Sequence, residues 1–301
     1  MTPETAPPHI RNLTITAWAA TIIASILPEI IFDQTGSIPA WLLWVKLGLF
    51  GGLLVLSFLW SKLRPLSSFF AVWLVLIGGT QLAGSINFNL PALQKWLGGG
   101  SFVQTLQPLQ LSKLAVTAAV LATLMLFGKT RKQVFLTPGK LGAPIQPVKW
   151  LGFPNADSWW RFGGQYGFYI PLGMALVAWL MSRPSSQAME KVLPLLPAIL
   201  LFAALNAFNE EVALRASLLA ALEPVTGSLP AWWMSALYFG IAHFYGVPYG
   251  WLGIALATFN GWLLGKAMLE TRGLAWAWWM HFLQDVAIFV FLAAGAITPG
   301  G

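Results

Sequence analysis

The sequence predicts an all-α fold, a polytopic transmembrane bundle of about eight or nine helices. Hydrophobic residues make up 57% of the chain and charged residues only 9%, whereas soluble domains are roughly a quarter charged. The apolar residues occur in runs of about 20, the length that crosses a hydrocarbon core. Lys and Arg collect between these runs, as they do in membrane proteins. We therefore expect an integral membrane protein.

Nine apolar segments are long enough to be spanning helices. We place them at 13–32, 41–60, 66–86, 109–127, 164–182, 192–222, 229–246, 249–269 and 274–297. The first is expected to be an uncleaved membrane helix. The sixth would be about 46 Å long at about 1.5 Å per residue, so it must protrude, tilt or kink, for example after Pro194 and Pro197. If one segment is re-entrant or lies along the surface, the count is eight.

The basic residues predict an orientation and a division of the chain. We expect the chain to lie in the plasma (inner) membrane with its N-terminus on the cytoplasmic side. This orientation puts most Lys and Arg residues inside and only Lys95, Arg183 and Lys191 outside. The Pro-, Gly- and Lys/Arg-rich connection 128–163 separates N-terminal helices in 1–127 from a candidate catalytic transmembrane core in 164–301.

Composition also limits the possible functions. The net charge of +7 belongs to the connections between apolar runs, so membrane lipids rather than nucleic acid are the expected partners. The chain has no cysteine, which excludes a thiol nucleophile and thiolate-bound metal.

Polar residues interrupt the sixth segment. An ionisable group in hydrocarbon costs at least about 2.5–3.5 kcal/mol, so its position carries information. A spacing of four puts Glu211 and Arg215 on one helix face, where they can pair. Glu210 is rotated by about 100° from that face, towards Asn206 and Ser217. This carboxylate is the predicted general base.

Two histidines lie in other predicted helices. His243 follows Phe239 by four residues in the seventh segment, and His281 precedes Asp285 by four in the ninth, where the two can pair. A lone buried histidine is usually a packing residue, but two histidines and an unpaired carboxylate on three neighbouring helices are costly for packing alone. We expect both to polarise water and stabilise an oxyanion.

The remaining intramembrane polar residues predict structural roles. Lys46 and Lys113, near segment ends, should extend to the lipid headgroups. Glu29 should be interfacial, and Asn260 either faces the site or forms a helix–helix hydrogen bond.

The polar pattern resembles the CPBP family, the CAAX-processing and bacteriocin-processing intramembrane proteases. Its three motifs, EExxxR, FxxxH and HxxxN/D, occur in order and on separate predicted helices. The matching residues are Glu210, Glu211, Arg215, Phe239, His243, His281 and Asp285.

This resemblance implies peptide-bond hydrolysis inside a helix-lined cavity, with water activated by Glu210 and His243. His281 and Asp285 would stabilise the oxyanion. An ionised Asp285 cannot donate a hydrogen bond, so we assign the donation to His281 and let Asp285 orient it. Glu211, Arg215, Phe239 and Asn260 are expected to support the site.

Metal use, substrate and even catalysis leave alternatives. Glu210, His243 and His281 would suffice for a zinc ion with an open position, although a metal-free glutamate mechanism without cofactor is favoured. The expected partner is a protein or peptide substrate, for which a lipid modification or a membrane anchor is one option. A CAAX tail, a bacteriocin leader and a C-terminal sorting tail are equally open. A non-proteolytic membrane regulator or immunity protein is the main alternative, followed by a transporter.

Overall fold

The computed structural model describes residues 7–149 and 157–297. Most of them are helical, which confirms the all-α, polytopic class. The α-helices in the described ranges are α1 (Pro8–Ala24), α2 (Leu27–Thr35), α3 (Trp41–Leu59), α4 (Ser67–Ser85), α5 (Pro91–Trp96), α6 (Ser101–Leu126), α7 (Trp159–Ser182), α8 (Ser186–Glu190), α9 (Leu196–Glu210), α10 (Ser217–Thr226), α11 (Ser228–Ile241), α12 (Trp251–Thr271) and α13 (Ala275–Ala293).

Shorter elements connect these helices. Short 3₁₀ helices occur at Arg64–Leu66 and Leu193–Leu195, and the π-helix Glu211–Ala216 joins α9 to α10. Strands β1 (Pro144–Ile145) and β2 (Asp157–Ser158) form one antiparallel pair.

The number of membrane crossings is only partly defined. Among residues 7–149 and 157–297, six helical units are long and apolar enough to cross a membrane. A seventh arises if α1 and α2, bent by 46° to each other, are one span. Neither α7 nor α11, which has 14 residues, is among the six. The predicted count of eight or nine spans therefore stays a prediction.

The long sixth segment departs from a regular α-helix in two places. A 3₁₀ helix covers Leu193–Leu195 around Pro194, close to the predicted kink. The π-helix Glu211–Ala216 was not predicted. Its wider turn lies directly after Glu210, and such turns are frequent at functional sites.

Helix packing places α9 between elements from both parts of the chain. Helix α9 contacts α6 on one side and α13 on the other, and α11 packs along α12. The α11–α12 approach depends on Gly240, where an added Cβ would lie 1.9 Å from Thr258 Oγ1 and 2.8 Å from Ile254 O. Only a residue without a Cβ fits there.

The connection 128–163 is tied to the ends of α12 and α13. The backbone N–H of Lys140 donates to Thr271 O at 2.7 Å, and that of Leu274 donates to Thr137 O at 2.8 Å. These bonds hold the loop around Thr137–Lys140 against the junction between α12 and α13. The proposed division at this connection and the orientation in the membrane stay predictions.

Candidate active site

Three elements bring the predicted trio together. Glu210 ends α9, His281 lies in α13, and His243 follows α11. Glu210 Oε2 lies 3.7 Å from His243 Nε2 and 3.8 Å from His281 Nε2. Both imidazoles thus face one carboxylate oxygen, while their catalytic roles stay predictions.

His243 is not in a helix, contrary to the prediction. Helix α11 ends at Ile241, and His243 lies in the following turn, where its backbone N–H donates to Gly240 O at 3.0 Å. Its Nδ1 is 2.7 Å from Phe239 O. Because a carbonyl can only accept, Nδ1–H is the donor, and Nε2 is the ring nitrogen that faces Glu210.

His281 is oriented by Glu211. Its Nδ1 lies 2.7 Å from Glu211 Oε1, so Nδ1–H donates to the carboxylate. Glu211 also forms the predicted ion pair with Arg215, and both side chains are fully buried. The Glu211 carboxylate, held by Arg215, therefore fixes the orientation of the His281 ring through Nδ1.

Asp285 lies beside His281, as predicted, but does not hydrogen-bond it directly, so its orienting role stays a prediction. Its Oδ2 is 3.6 Å from His281 Nε2, beyond hydrogen-bond distance. Instead Oδ2 accepts from Asn206 Nδ2 at 3.0 Å. Asp285 is thus a second buried carboxylate beside the site, connected to α9.

Lys113 completes the site, a contribution that the sequence analysis missed. Its Nζ donates to Glu210 Oε1 and to Asn206 Oδ1, both at 2.7 Å. The prediction that Lys113 extends to the headgroups is wrong, because its ammonium group binds Glu210 and Asn206 within the protein. Through Asn206 the ammonium also connects to Asp285, so one cation from α6 faces two carboxylates.

Lys46 was misjudged in the same way. Its Nζ contacts the Glu29 carboxylate and donates to Ser25 O, each at 2.6 Å, and its side chain is buried. This pair ties α3 to α2 in the N-terminal part of the chain. It satisfies a buried charge with a local carboxylate rather than with lipid.

Phe239 packs between the charged and the aromatic groups. Arg215 Cζ lies 4.5 Å from the centre of its ring. Its ring centroid is 4.3 Å from that of His243 and 5.8 Å from that of His281, the latter edge to face. The motif phenylalanine therefore positions both imidazoles and covers the guanidinium.

Asn260 connects two helices. Its Oδ1 accepts from Gln284 Nε2 at 3.2 Å, which links α12 to α13 next to Asp285. Of the two predicted roles, the structure supports the helix–helix hydrogen bond.

The site is open on one side. The side chains of Lys113 and His243 are 34% and 33% exposed, whereas that of His281 is 5% exposed. Glu210 lies between them at 11%. Lys113 and His243 therefore form the exposed edge of the site, and His281 is its most buried member.

The residues as placed do not form a zinc set. Among the described residues, no three His, Asp or Glu side chains are arranged to hold a metal ion. Glu210 Oε1 is bound by the Lys113 ammonium, which repels a second cation. We therefore derive no chemical step through a metal.

Comparison with known proteins identifies a family resemblance. Residues 192–287 match a family model described as type II CAAX prenyl endopeptidase Rce1-like. The match contains all three motifs and confirms the predicted resemblance to CPBP intramembrane proteases. The first five predicted segments lie outside it. No curated protein and no solved structure matches the chain.

Proposed function

We propose that this chain, whose residues 192–287 match type II CAAX prenyl endopeptidases, is an intramembrane endopeptidase that uses Glu210 and His243 to activate water. The observation that carries the proposal is the meeting of two imidazole Nε2 atoms at Glu210 Oε2, at 3.7 Å and 3.8 Å.

The spacing suits a water molecule. Distances of 3.7 Å and 3.8 Å are too long for direct hydrogen bonds, and a polar contact of this length can be bridged by a water molecule. Glu210 Oε2 is buried and has no hydrogen-bond partner among the described residues. A water there donates one hydrogen to Glu210 Oε2 and the other to His243 Nε2.

Hydrolysis then proceeds by general base catalysis. The water oxygen attacks the scissile carbonyl carbon while Glu210 Oε2 takes its proton. The oxyanion accepts a hydrogen bond from Nε2–H of protonated His281. The Glu211 carboxylate, which accepts from Nδ1–H, stabilises the positive charge of this imidazolium. Collapse breaks the C–N bond, and Glu210 returns the proton to the leaving amine. The products are a new carboxyl and a new amino terminus.

Lys113 prepares Glu210 for this role. Its ammonium occupies Oε1 at 2.7 Å, so it favours the ionised carboxylate and leaves Oε2 as the free acceptor. Asn206 links the same ammonium to Asp285, which holds α6, α9 and α13 in register around the water.

The substrate is a membrane-anchored polypeptide, and the reaction needs no metal. The matched family model names prenyl endopeptidases, so a lipid-modified C-terminal tail is the first substrate class to test. Leader peptides and sorting tails are processed by the same chemistry and would enter past Lys113 and His243.

The test compares membrane-protein fragments between cells that express the wild-type chain and cells that express Glu210→Gln. We expect at least one cleavage product to disappear in Glu210→Gln. Glu190→Gln is the matched control, because Glu190 is exposed at the end of α8. If the fragments and phenotype of Glu210→Gln equal those of the wild type, the protein acts as a regulator and the proposal is refuted.

A further inference from the structure

A cavity separate from Glu210 lies where the basic connection meets the ends of three helices. Its volume is about 650 Å³. Helices α6, α10 and α12 end there, on the side predicted to be cytoplasmic. The charged residues that line it are Lys129, Lys132, Lys140, Arg272 and Glu223.

The cavity has surplus positive charge. Arg272 Nη1 donates to Glu223 Oε2 at 2.7 Å, so these two residues neutralise each other. Lys129, Lys132 and Lys140 have no anionic partner within the part of the chain that the structure describes. Each helix C-terminus contributes about half a negative charge, so three such ends offset only about half of the three ammonium groups.

Lys129 is held in a partly desolvated position. It follows the last turn of α6, and its backbone N–H donates to Leu124 O at 3.0 Å. Burial lowers the pKa of Lys129 below its ordinary value, because the charged form loses water without gaining a carboxylate. An anion in the cavity would offset that loss.

Apolar side chains form much of the rest of the lining. Phe135, Pro138, Ala220 and Pro224 contribute to the walls. Close by, Leu126 at the end of α6 is 87% exposed, as a lipid-facing residue is. Cations beside apolar walls at the end of a spanning helix match an amphiphile better than a free inorganic ion.

The backbone of the cavity wall is preformed. Gly139 has φ +79°, and a Cβ there would lie 2.7 Å from Thr271 O. The neighbouring Lys140 N–H donates to that same carbonyl. This glycine lets the loop pack closely on the end of α12, which fixes the backbone position of Lys140.

We propose that this cavity binds the phosphate group of an anionic phospholipid from the cytoplasmic leaflet. The phosphate contacts Lys129, Lys132 and Lys140, and the glycerol and upper acyl carbons lie against the apolar walls. Basic cavities between spanning helices on the cytoplasmic side bind anionic headgroups in this way. The site is independent of the peptidase chemistry proposed above.

The test uses the full-length protein in mild detergent with equal amounts of phosphatidylglycerol and phosphatidylcholine, and measures bound lipid by native mass spectrometry. We expect the wild type to retain one phosphatidylglycerol selectively. The variant Lys129→Gln/Lys132→Gln/Lys140→Gln should bind it about 100-fold more weakly, since each Lys near an anionic headgroup contributes roughly fivefold and three are removed.

A control variant with the same charge change separates the cavity from net charge. Arg11→Gln/Lys62→Gln/Arg64→Gln alters exposed cations on the same predicted side and should bind as the wild type does. Replacing the three cavity lysines with Arg should retain binding, which shows that the fold tolerates change there.

Three outcomes would overturn the proposal. The cavity and control variants could retain phosphatidylglycerol equally. Millimolar inorganic phosphate could displace the lipid completely, which would assign the cavity to a free anion. An acidic peptide could distinguish wild type from cavity variant while phosphatidylglycerol does not, which would assign it to a protein partner.

Discussion

Replacing Lys113 with Gln should slow peptide cleavage by about 10- to 30-fold. The ammonium donates to Glu210 Oε1 and Asn206 Oδ1 at 2.7 Å each. A neutral Gln can still donate to one of these acceptors but supplies no positive charge. Glu210 then loses the interaction that favours its ionised form, the form that can take a proton from water.

The expected magnitude follows from burial. A hydrogen bond to a charged group contributes about 1.5–3 kcal/mol. The Lys113 side chain is 34% exposed while that of Glu210 is 11% exposed, so solvent screens part of the interaction and the lower half of that range applies. About 1.5–2 kcal/mol of lost transition-state stabilisation corresponds to roughly 10- to 30-fold in kcat/KM.

The assay measures initial cleavage rates in proteoliposomes, with the substrate identified from the Glu210→Gln comparison. Lys113→Arg should restore most of the rate because it retains the cation. Lys95→Gln, an exposed position on α5, is the charge-matched control. A folded Lys113→Gln protein that cleaves as fast as Lys95→Gln would refute the role assigned to this ammonium.

Three further predictions concern the neighbouring groups. Glu211→Gln should destabilise the protein by about 3–5 kcal/mol, because it leaves the buried Arg215 charge without its carboxylate. Thermal unfolding in detergent measures the loss of stability, and a melting temperature equal to that of the wild type would contradict the prediction. Asp285→Asn should retain activity within about threefold, since an amide oxygen can still accept from Asn206; a loss beyond about 30-fold would mean that the negative charge itself is required. Dialysis against a chelator should leave the cleavage rate unchanged, whereas a lost rate that zinc restores would reverse our metal-free assignment.

The motif residues could be identified from the sequence because the membrane makes buried charge rare. Glu210 and Glu211 are carboxylates within an apolar run, where charge is rare. Helical periodicity alone places their side chains on different faces of the helix. The structure agrees: Glu211 faces Arg215, whereas Glu210 faces the same ammonium as Asn206.

Lys113 could not be placed by the same reasoning. It is 97 residues from Glu210 in the chain, and its pairing depends on α6 packing against α9. Local spacing predicts partners within a helix and carries no information about contacts between distant ones. Its presence within an apolar segment was the available signal, because an unpaired intramembrane lysine is costly.

The turn that holds His243 was missed for a related reason. Phe239 and His243 have helical spacing, but α11 ends at Ile241 and a backbone carbonyl bonds the imidazole instead. The segment Glu211–Ala216 contains no Pro or Gly that would have predicted an irregular turn there. Both features depend on tertiary packing rather than on local preference.

The π-helix determines how this part of the chain tolerates a change in length. A π turn accommodates one residue more than the α turn it replaces. Because the π turn takes up the additional residue, deleting one alanine such as Ala213 would return the segment to a regular α-helix with Ser217–Thr226 facing its neighbours roughly as before. Deleting two residues would instead rotate that segment by about 100° relative to α9. The helix can therefore lose one codon here, but not two, without turning its C-terminal end away from its neighbours.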